Sequence, residues 1–153
     1  MNTQSIFEGL ISNLDAGLSS PSEDQPCARS FEYKGKIPVT LAVSDDGTLY
    51  YVAQIMDLDQ TADAELFKQI LKINHLGIKT KGSILSIDPA ESKVILSLSE
   101  SIADVSSEAF VDKLTLFLER SESAQNELEI YLASRNSAHY ESPEALGAVI
   151  VYS

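Results

Sequence analysis

The chain alternates between segments in which apolar residues recur every three or four positions and segments in which they recur every second position. The first spacing is that of an amphipathic helix, and the second is that of a half-buried strand. Helical spacing occurs in residues 5–17, 63–76 and 106–134. Alternation occurs in residues 31–33, 37–43, 48–56, 83–87 and 93–98. The predicted order is therefore helix, three strands, helix, two strands and helix.

Capping and turn residues mark the ends of these segments. Ser5 and Glu8 have the spacing of a capping box, in which each side chain binds a free backbone N–H at the start of a helix. Gly77 follows the second helical stripe, as glycine often follows the last turn of a helix. The run Asp45-Asp46-Gly47 between two alternating segments indicates a hairpin. Because helices and strands are interspersed without repeated βαβ units, we predict an α+β fold with a twisted, mainly antiparallel sheet.

The third helical segment carries an apolar stripe that two small residues interrupt. Ser121 and Ala124 stand where a coiled coil would place large apolar side chains, which favours a helix packed on the rest of the domain. The residues after this segment are polar as far as Leu146. We therefore predict one domain over residues 1–134 and a C-terminal tail over residues 135–153.

Composition and charge restrict the kind of partner. Hydrophobic residues make up 44% of the 153 residues, which is enough for a core. Eleven Lys and Arg residues against 23 Asp and Glu residues give a net charge of −12. Such a surface repels phosphate backbones and anionic membranes, so we expect neither nucleic acid nor a membrane as partner. A basic or aggregation-prone protein suits it better.

The N-terminal residues indicate where the protein acts. They lack the basic region followed by an apolar run that marks a secretory signal peptide. No stretch of the sequence approaches the ~18 consecutive apolar residues of a membrane-spanning helix. We therefore expect a cytoplasmic protein.

Two short segments resemble ligand loops only in part. Residues 57–68 begin like a calcium loop, but Ala62 and Lys68 occupy the positions that require glycine and glutamate. Residues 77–82 have the glycine spacing of a phosphate loop, but Ser83 and Ile84 stand where lysine and serine or threonine are required. We therefore predict neither a calcium site nor a nucleotide site.

Other candidate chemistry is equally sparse. Cys27 is the single cysteine, and His75 and His139 have no acidic or cysteine partners at metal-ligand spacing. We predict no catalytic residue, no metal, no cofactor and no enzymatic activity. A small enzyme with two converging carboxylates is the alternative from another functional class.

One local anomaly is a run of basic residues on this acidic chain. Residues 66–87 contain four lysines and no acidic residue; they are Lys68, Lys72, Lys79 and Lys81. These lysines either form an ordinary solvated face or meet an acidic surface of a partner.

Three stretches in the middle of the chain have a recognisable order. They are Leu71-Lys72-Ile73-Asn74-His75-Leu76-Gly77, Gly82-Ser83-Ile84-Leu85-Ser86-Ile87-Asp88-Pro89 and Val94-Ile95-Leu96-Ser97. This run of helix, glycine-marked turn and hairpin resembles the effector-specific (class I, Tir-chaperone-like) type III secretion chaperones. The order of elements, the size and the acidity agree with that family across residues 5–134.

The resemblance implies a homodimer with a twisted sheet in each subunit. It implies a secreted effector protein as the partner, whose N-terminal chaperone-binding region wraps around the dimer and stays soluble and secretion-competent. ATP is not used by such chaperones. An alternative with the same fold is a chaperone-like anti-regulator that binds a regulatory protein of the secretion system, which the long tail favours.

The sequence predicts two sets of contact residues. The first helix and the first three strands carry more apolar surface than a small sheet needs, so we expect client binding there. The client-binding candidates are Phe7, Leu10, Leu14, Phe31, Tyr33, Val39, Leu41, Tyr50 and Val52. An extended client would also add a strand at an exposed sheet edge. The resemblance places the dimer contact at the second helix and the following strand, with the candidates Leu66, Ile70, Ile73, Leu85 and Ile87. Core packing is the alternative role of each of these residues.

Overall fold

The helices and strands follow one another in the predicted order. The helices are α1 (Thr3–Ile11), α2 (Ala64–Ile73) and α3 (Ser107–Tyr152). The strands are β1 (Ala28–Tyr33), β2 (Ile37–Val43), β3 (Thr48–Asp57), β4 (Ile84–Asp88) and β5 (Lys93–Ser101). This computed structural model describes residues 2–14, 17–59 and 63–152, with side chains as far as residue 136. The α+β class and the order of elements are confirmed.

The strands form one antiparallel sheet in the order β1-β2-β3-β5-β4. Hairpins join β1 to β2, β2 to β3 and β4 to β5, whereas α2 lies in the connection between β3 and β4. Because β5 pairs with β3, the strand β4 lies at one edge of the sheet and β1 lies at the other. The two edges are therefore built from different parts of the chain.

The sheet has one buried face and one open face. Alternate residues are buried along β2 and β3; they are Ile37, Val39, Leu41 and Val43 of β2 and Leu49, Tyr51, Ala53 and Ile55 of β3. The helix α3 covers this face, and the ring of Tyr51 lies 6.0 Å from that of Phe110 and 5.6 Å from that of Phe117. The intervening residues of β2 and β3 are half-buried or exposed. The predicted alternation therefore assigns the inward side chains correctly.

One polar contact links β3 to β5 beneath α3, and a second fastens α3 itself to the sheet. The Tyr51 hydroxyl donates to Glu100 at 2.6 Å, and burial raises the pKa of Tyr51 above its usual value, so the phenol stays protonated. Gln125 Nε2 donates to the carbonyl oxygen of Ile55 at 2.8 Å. This carbonyl lies at a bulge between Gln54 and Met56, where the register of β3 against β5 shifts.

The start of α1 differs from the predicted capping box. The N-cap is Asn2, whose Oδ1 accepts from the backbone N–H of Ser5 at 2.8 Å. Glu8 instead pairs with Arg29, a buried residue of β1 whose guanidinium also donates to the carbonyl oxygens of Pro26 and Ala28. A buried guanidinium requires a nearby anion, so the long-range ion pair takes the side chain that the capping box would use. The predicted box is wrong, and α1 ends at Ile11 rather than near residue 17.

The other two helices begin near the predicted residues. The Asp63 side chain caps α2 by accepting from the backbone N–H of Leu66 at 3.1 Å, and Arg135 of α3 donates to the same carboxylate at 3.0 Å. A 3₁₀ turn, His75–Gly77, follows α2. The backbone of α3 continues to Tyr152 instead of ending near residue 134. The division into a domain 1–134 and a tail 135–153 stays a prediction.

Candidate interaction surfaces

Four of the nine side chains predicted to bind a client lie in the core of the single chain. Phe7, Leu10, Val39 and Leu41 are at most 4% exposed. Leu14 is half-buried and packs against the same core. A partner cannot reach the four buried side chains while the chain keeps this conformation.

The remaining four candidates lie on two different sides of the sheet. Phe31 and Tyr33 are half-buried on the core side of β1, next to Val39 and Ile37 of β2. Tyr50 and Val52 lie on the opposite face of β3. The structure therefore divides the predicted client site into an edge region and a face region.

The edge region is an open groove along β1. Its volume is about 650 Å³, and its lining residues are Gly17, Ser19, Ser30, Phe31, Glu32, Gly35 and Pro38. The backbone of Ser30 faces outward, where its carbonyl accepts from Ser19 N–H at 2.8 Å and its N–H donates to Ser19 Oγ at 2.9 Å. Both residues are exposed. Ser19 therefore occupies this edge through one exposed pair of hydrogen bonds.

At the other edge of the sheet, the backbone of β4 is hydrogen-bonded to a side chain at the end of α2. Asn74, the C-cap of α2, donates from Nδ2 to the carbonyl oxygen of Leu85 at 2.7 Å and accepts from the Leu85 N–H at 2.8 Å. The side-chain amide thus repeats the pairing that a neighbouring strand would make. Because these bonds are part-buried and tied to a helix, an added strand displaces them less readily than the Ser19 contact.

We expect the Asn74→Ala substitution to lower the free energy of unfolding by about 1–3 kcal/mol, since it removes both partners of the Leu85 backbone. Urea unfolding followed by circular dichroism measures this change. The matched control is Asn126→Ala, which removes an exposed amide from α3 and is expected to change stability by at most about 0.5 kcal/mol. Equal stability of the two variants would contradict the bracing role of Asn74.

The face region is uncharged at its centre. We name it the open sheet face and define it by two cross-strand rows, Thr40–Val52–Ser97 and Ala42–Tyr50–Ser99. Tyr50 is 39% exposed, and Val52, Thr40 and Ala42 are half-buried. A neutral, partly apolar face on a chain of net charge −12 is suited to contact with another protein.

A second apolar surface lies on α2, the 3₁₀ turn and β4. We name it the α2–β4 surface; its exposed side chains are Phe67, Leu71, Leu76, Ile78 and Ile87. They make up half of the large apolar side chains that are exposed in the described part of the chain. Exposed apolar surface concentrated in this way marks an interaction site.

The predicted dimer residues belong to the same elements but mostly face inward. Leu66, Ile70, Ile73 and Leu85 are at most 4% exposed and lie in the core, whereas Ile87 is exposed. Phe67 and Leu71 were not among the predicted dimer contacts, although they lie four residues apart and form a second apolar stripe on α2. That second stripe was the available signal for this surface.

The described residues contain neither a cluster of metal ligands nor a helix suited to span a membrane. Among the side chains that the structure describes, no three His, Cys, Asp or Glu residues gather closely enough to hold a metal ion. Within the described ranges, no helix has the length and apolarity needed to cross a membrane.

The sequence matches the model of the Tir chaperone protein (CesT) family over residues 15–125. A comparison with curated protein sequences gives no match.

Several solved structures with the same fold are complexes of two proteins. The ExsC–ExsE complex contains a chain with 19% identity and a TM-score of 0.65, and the match covers 84% of this chain and 97% of that one. The HopA1–SchA chaperone–effector complex gives 11% identity and a TM-score of 0.58, covering 80% and 92%. The Yersinia pestis type III secretion chaperone SycH, in complex with a fragment of YscM2, gives 15% identity and a TM-score of 0.52, covering 80% and 98%.

Proposed function

The chain belongs to the Tir chaperone protein (CesT) family, and on that premise we propose that it is a type III secretion chaperone. In this proposal it binds the N-terminal chaperone-binding region of one or more effector proteins and keeps them soluble and secretion-competent. The observation that carries the proposal is the open sheet face, an uncharged and partly apolar surface beside a weakly closed sheet edge. The HopA1–SchA chaperone–effector complex, one chain of which has the same fold as this protein, supports the proposal.

An extended client segment fits the β1 edge of the sheet. Glu32 follows Ser30 at the next outward-facing position of β1, and the groove beside it leaves room for another backbone. A client strand would pair at Glu32 and replace the Ser19 contact at Ser30. Backbone hydrogen bonds of this kind give affinity without a strict sequence requirement, which suits a chaperone whose clients are non-globular at the bound region.

The open sheet face gives the same client an apolar contact. Tyr50 has a large ring with a polar tip, and such side chains contribute strongly when a partner covers them. The acidic remainder of the surface favours clients with basic flanking segments and disfavours nucleic acid. We therefore place client recognition on β1 and on the open sheet face, and not on the buried side chains of Phe7, Leu10, Val39 and Leu41.

We also propose that two copies of the chain associate through the α2–β4 surface. Its exposed side chains are apolar and lie on elements that contact one another. Covering them with the same surface of a second copy would remove them from water on both chains. This proposal keeps the predicted elements of the dimer contact and the predicted residue Ile87, and it replaces the buried side chains with Phe67, Leu71, Leu76 and Ile78.

The remaining parts of the proposal follow from a role in binding. The chain uses no cofactor and catalyses no reaction, because holding a client requires only the surfaces described above. It acts in the cytoplasm, where a client is held before its secretion. An anti-regulator that binds a regulatory protein of the secretion system would use the same surfaces and is the second candidate function.

Deletion of the gene separates these two functions. We expect deletion to reduce secretion of one client and its level in the cell, while other secreted proteins stay unchanged. Quantitative mass spectrometry of the medium and of the cells measures both effects. A change in the expression of the whole secretion system would instead support the anti-regulator, and unchanged secretion and expression would contradict both functions.

A further inference from the structure

A small pocket lies between α3 and the loop that leads from the 3₁₀ turn into β4. Its volume is about 180 Å³, and its lining residues are Ile73, Lys79, Thr80, Arg120, Ser123, Ala124 and Glu127. The loop is fixed by two backbone hydrogen bonds, from Lys81 N–H to the Gly77 carbonyl at 2.8 Å and from Ser83 N–H to the Thr80 carbonyl at 3.1 Å. The pocket therefore has a defined shape and does not depend on a loose loop.

Two polar atoms of the lining residues have no hydrogen-bond partner among the described residues. They are the Oγ1 of Thr80 and the Nε of Arg120, both of them buried atoms. Thr80 as a whole is only 2% exposed. Buried polar groups in folded proteins are nearly always paired, because leaving one unpaired is unfavourable. These two donors therefore point to a group that the protein itself does not supply.

The charges around the pocket favour an anion in that place. Lys79 Nζ donates to Glu127 Oε1 at 2.5 Å, so the single carboxylate of the lining already has a cation beside it. Arg120 adds a further positive charge, and Ser123 adds a hydroxyl group. The pocket thus carries a net positive charge on a chain whose overall net charge is −12.

We propose that this pocket binds one oxyanion group, a carboxylate or a phosphate, through Arg120 and Thr80. An arginine guanidinium and a hydroxyl group are donors that such oxygens accept well, and charge-assisted bonds of this type are strong. The site differs from a nucleotide-binding phosphate loop because side chains hold the anion. A carboxylate would come from an acidic side chain of a partner protein, and a phosphate would come from a free small anion.

The test is thermal unfolding of the full chain at rising concentrations of sodium phosphate or sodium acetate, with sodium chloride keeping the ionic strength constant. We expect a saturable rise in the unfolding temperature of the unsubstituted chain, because an anion that binds only the folded state stabilises it. Thr80→Val removes the hydroxyl at nearly constant volume, and Arg120→Gln removes the guanidinium. Each is expected to weaken the apparent affinity at least about tenfold.

The matched control is Lys34→Gln, which removes a surface cation paired with Glu122, outside the pocket, and should keep the full response. A response to phosphate alone supports a free phosphate-type anion, and a response to acetate supports the carboxylate of a partner. No saturable response of the unsubstituted chain, or an equal response of all variants, would overturn the proposal and leave the pocket to ordered water. If Arg120→Gln does not fold, the comparison between Thr80→Val and Lys34→Gln decides.

Discussion

The Leu71→Asp variant is expected to fold normally and to remain monomeric at concentrations at which the unsubstituted chain is a dimer. Leu71 is 68% exposed in the single chain, so a carboxylate there stays in water and leaves the core unchanged. In the proposed dimer the same carboxylate would be covered by apolar side chains, and burying an unpaired charge is strongly unfavourable. We expect the dissociation constant to rise by a factor on the order of 100 or more.

Sedimentation equilibrium over a wide range of protein concentrations measures this constant, and circular dichroism checks that the fold is kept. The control is Ile130→Asp on α3, because Ile130 is 69% exposed but lies outside the α2–β4 surface. This control is expected to dimerise like the unsubstituted chain. A dimeric Leu71→Asp variant, or an unsubstituted chain that is monomeric throughout, would contradict the proposed contact.

The buried neighbour of Leu71 shows why periodicity alone did not find this surface. Ile70 and Leu71 are equally apolar, and each belongs to a stripe at helical spacing, with Leu66 and Phe67 respectively. The packing of α2 against α3 and β4 decides which stripe is buried, and that packing depends on contacts distant in sequence. In β2, Pro38, Thr40 and Ala42 alternate with larger apolar residues, so the sequence indicates that Val39 and Leu41 lie on one face. It did not indicate that the core covers this face instead of a client.

Polar contacts between segments distant in sequence also could not be predicted from local sequence patterns. The spacing of Ser5 and Glu8 fits a capping box, but Glu8 pairs with Arg29, which is 21 residues away. Asn74 looks like an ordinary residue at a helix end, yet it completes the edge of β4 through Leu85, 11 residues further on. Hydrophobic periodicity along the chain was enough to predict the class of fold. The side-chain contacts that close the sheet edges could not be predicted in this way.

The Tyr50→Asp variant is expected to lose its client while keeping its fold and its dimer. Tyr50 is 39% exposed at the centre of the open sheet face, so the substitution leaves the core unchanged. A bound client would cover this position, and the new carboxylate would then lose its contact with water. We expect the affinity for the client's N-terminal region to fall by roughly 10- to 100-fold.

Isothermal titration with the purified N-terminal region of the client measures this loss. Val111→Asp is the matched control, since Val111 is 38% exposed but lies on α3 and not on the sheet. It is expected to bind with the affinity of the unsubstituted chain. Equal binding by both variants would contradict client binding at the open sheet face, and it would leave the chaperone function itself untouched.

The most direct test of the chaperone function is the purification of the tagged full chain from its native cells with secretion blocked, followed by mass spectrometry of the proteins that co-elute. We predict one larger secreted protein that is retained through its N-terminal region, so that a truncated form lacking this region no longer co-elutes. Recovery of only a small regulatory protein would favour the anti-regulator instead. A chain that elutes alone, as a stable monomer, would contradict the account.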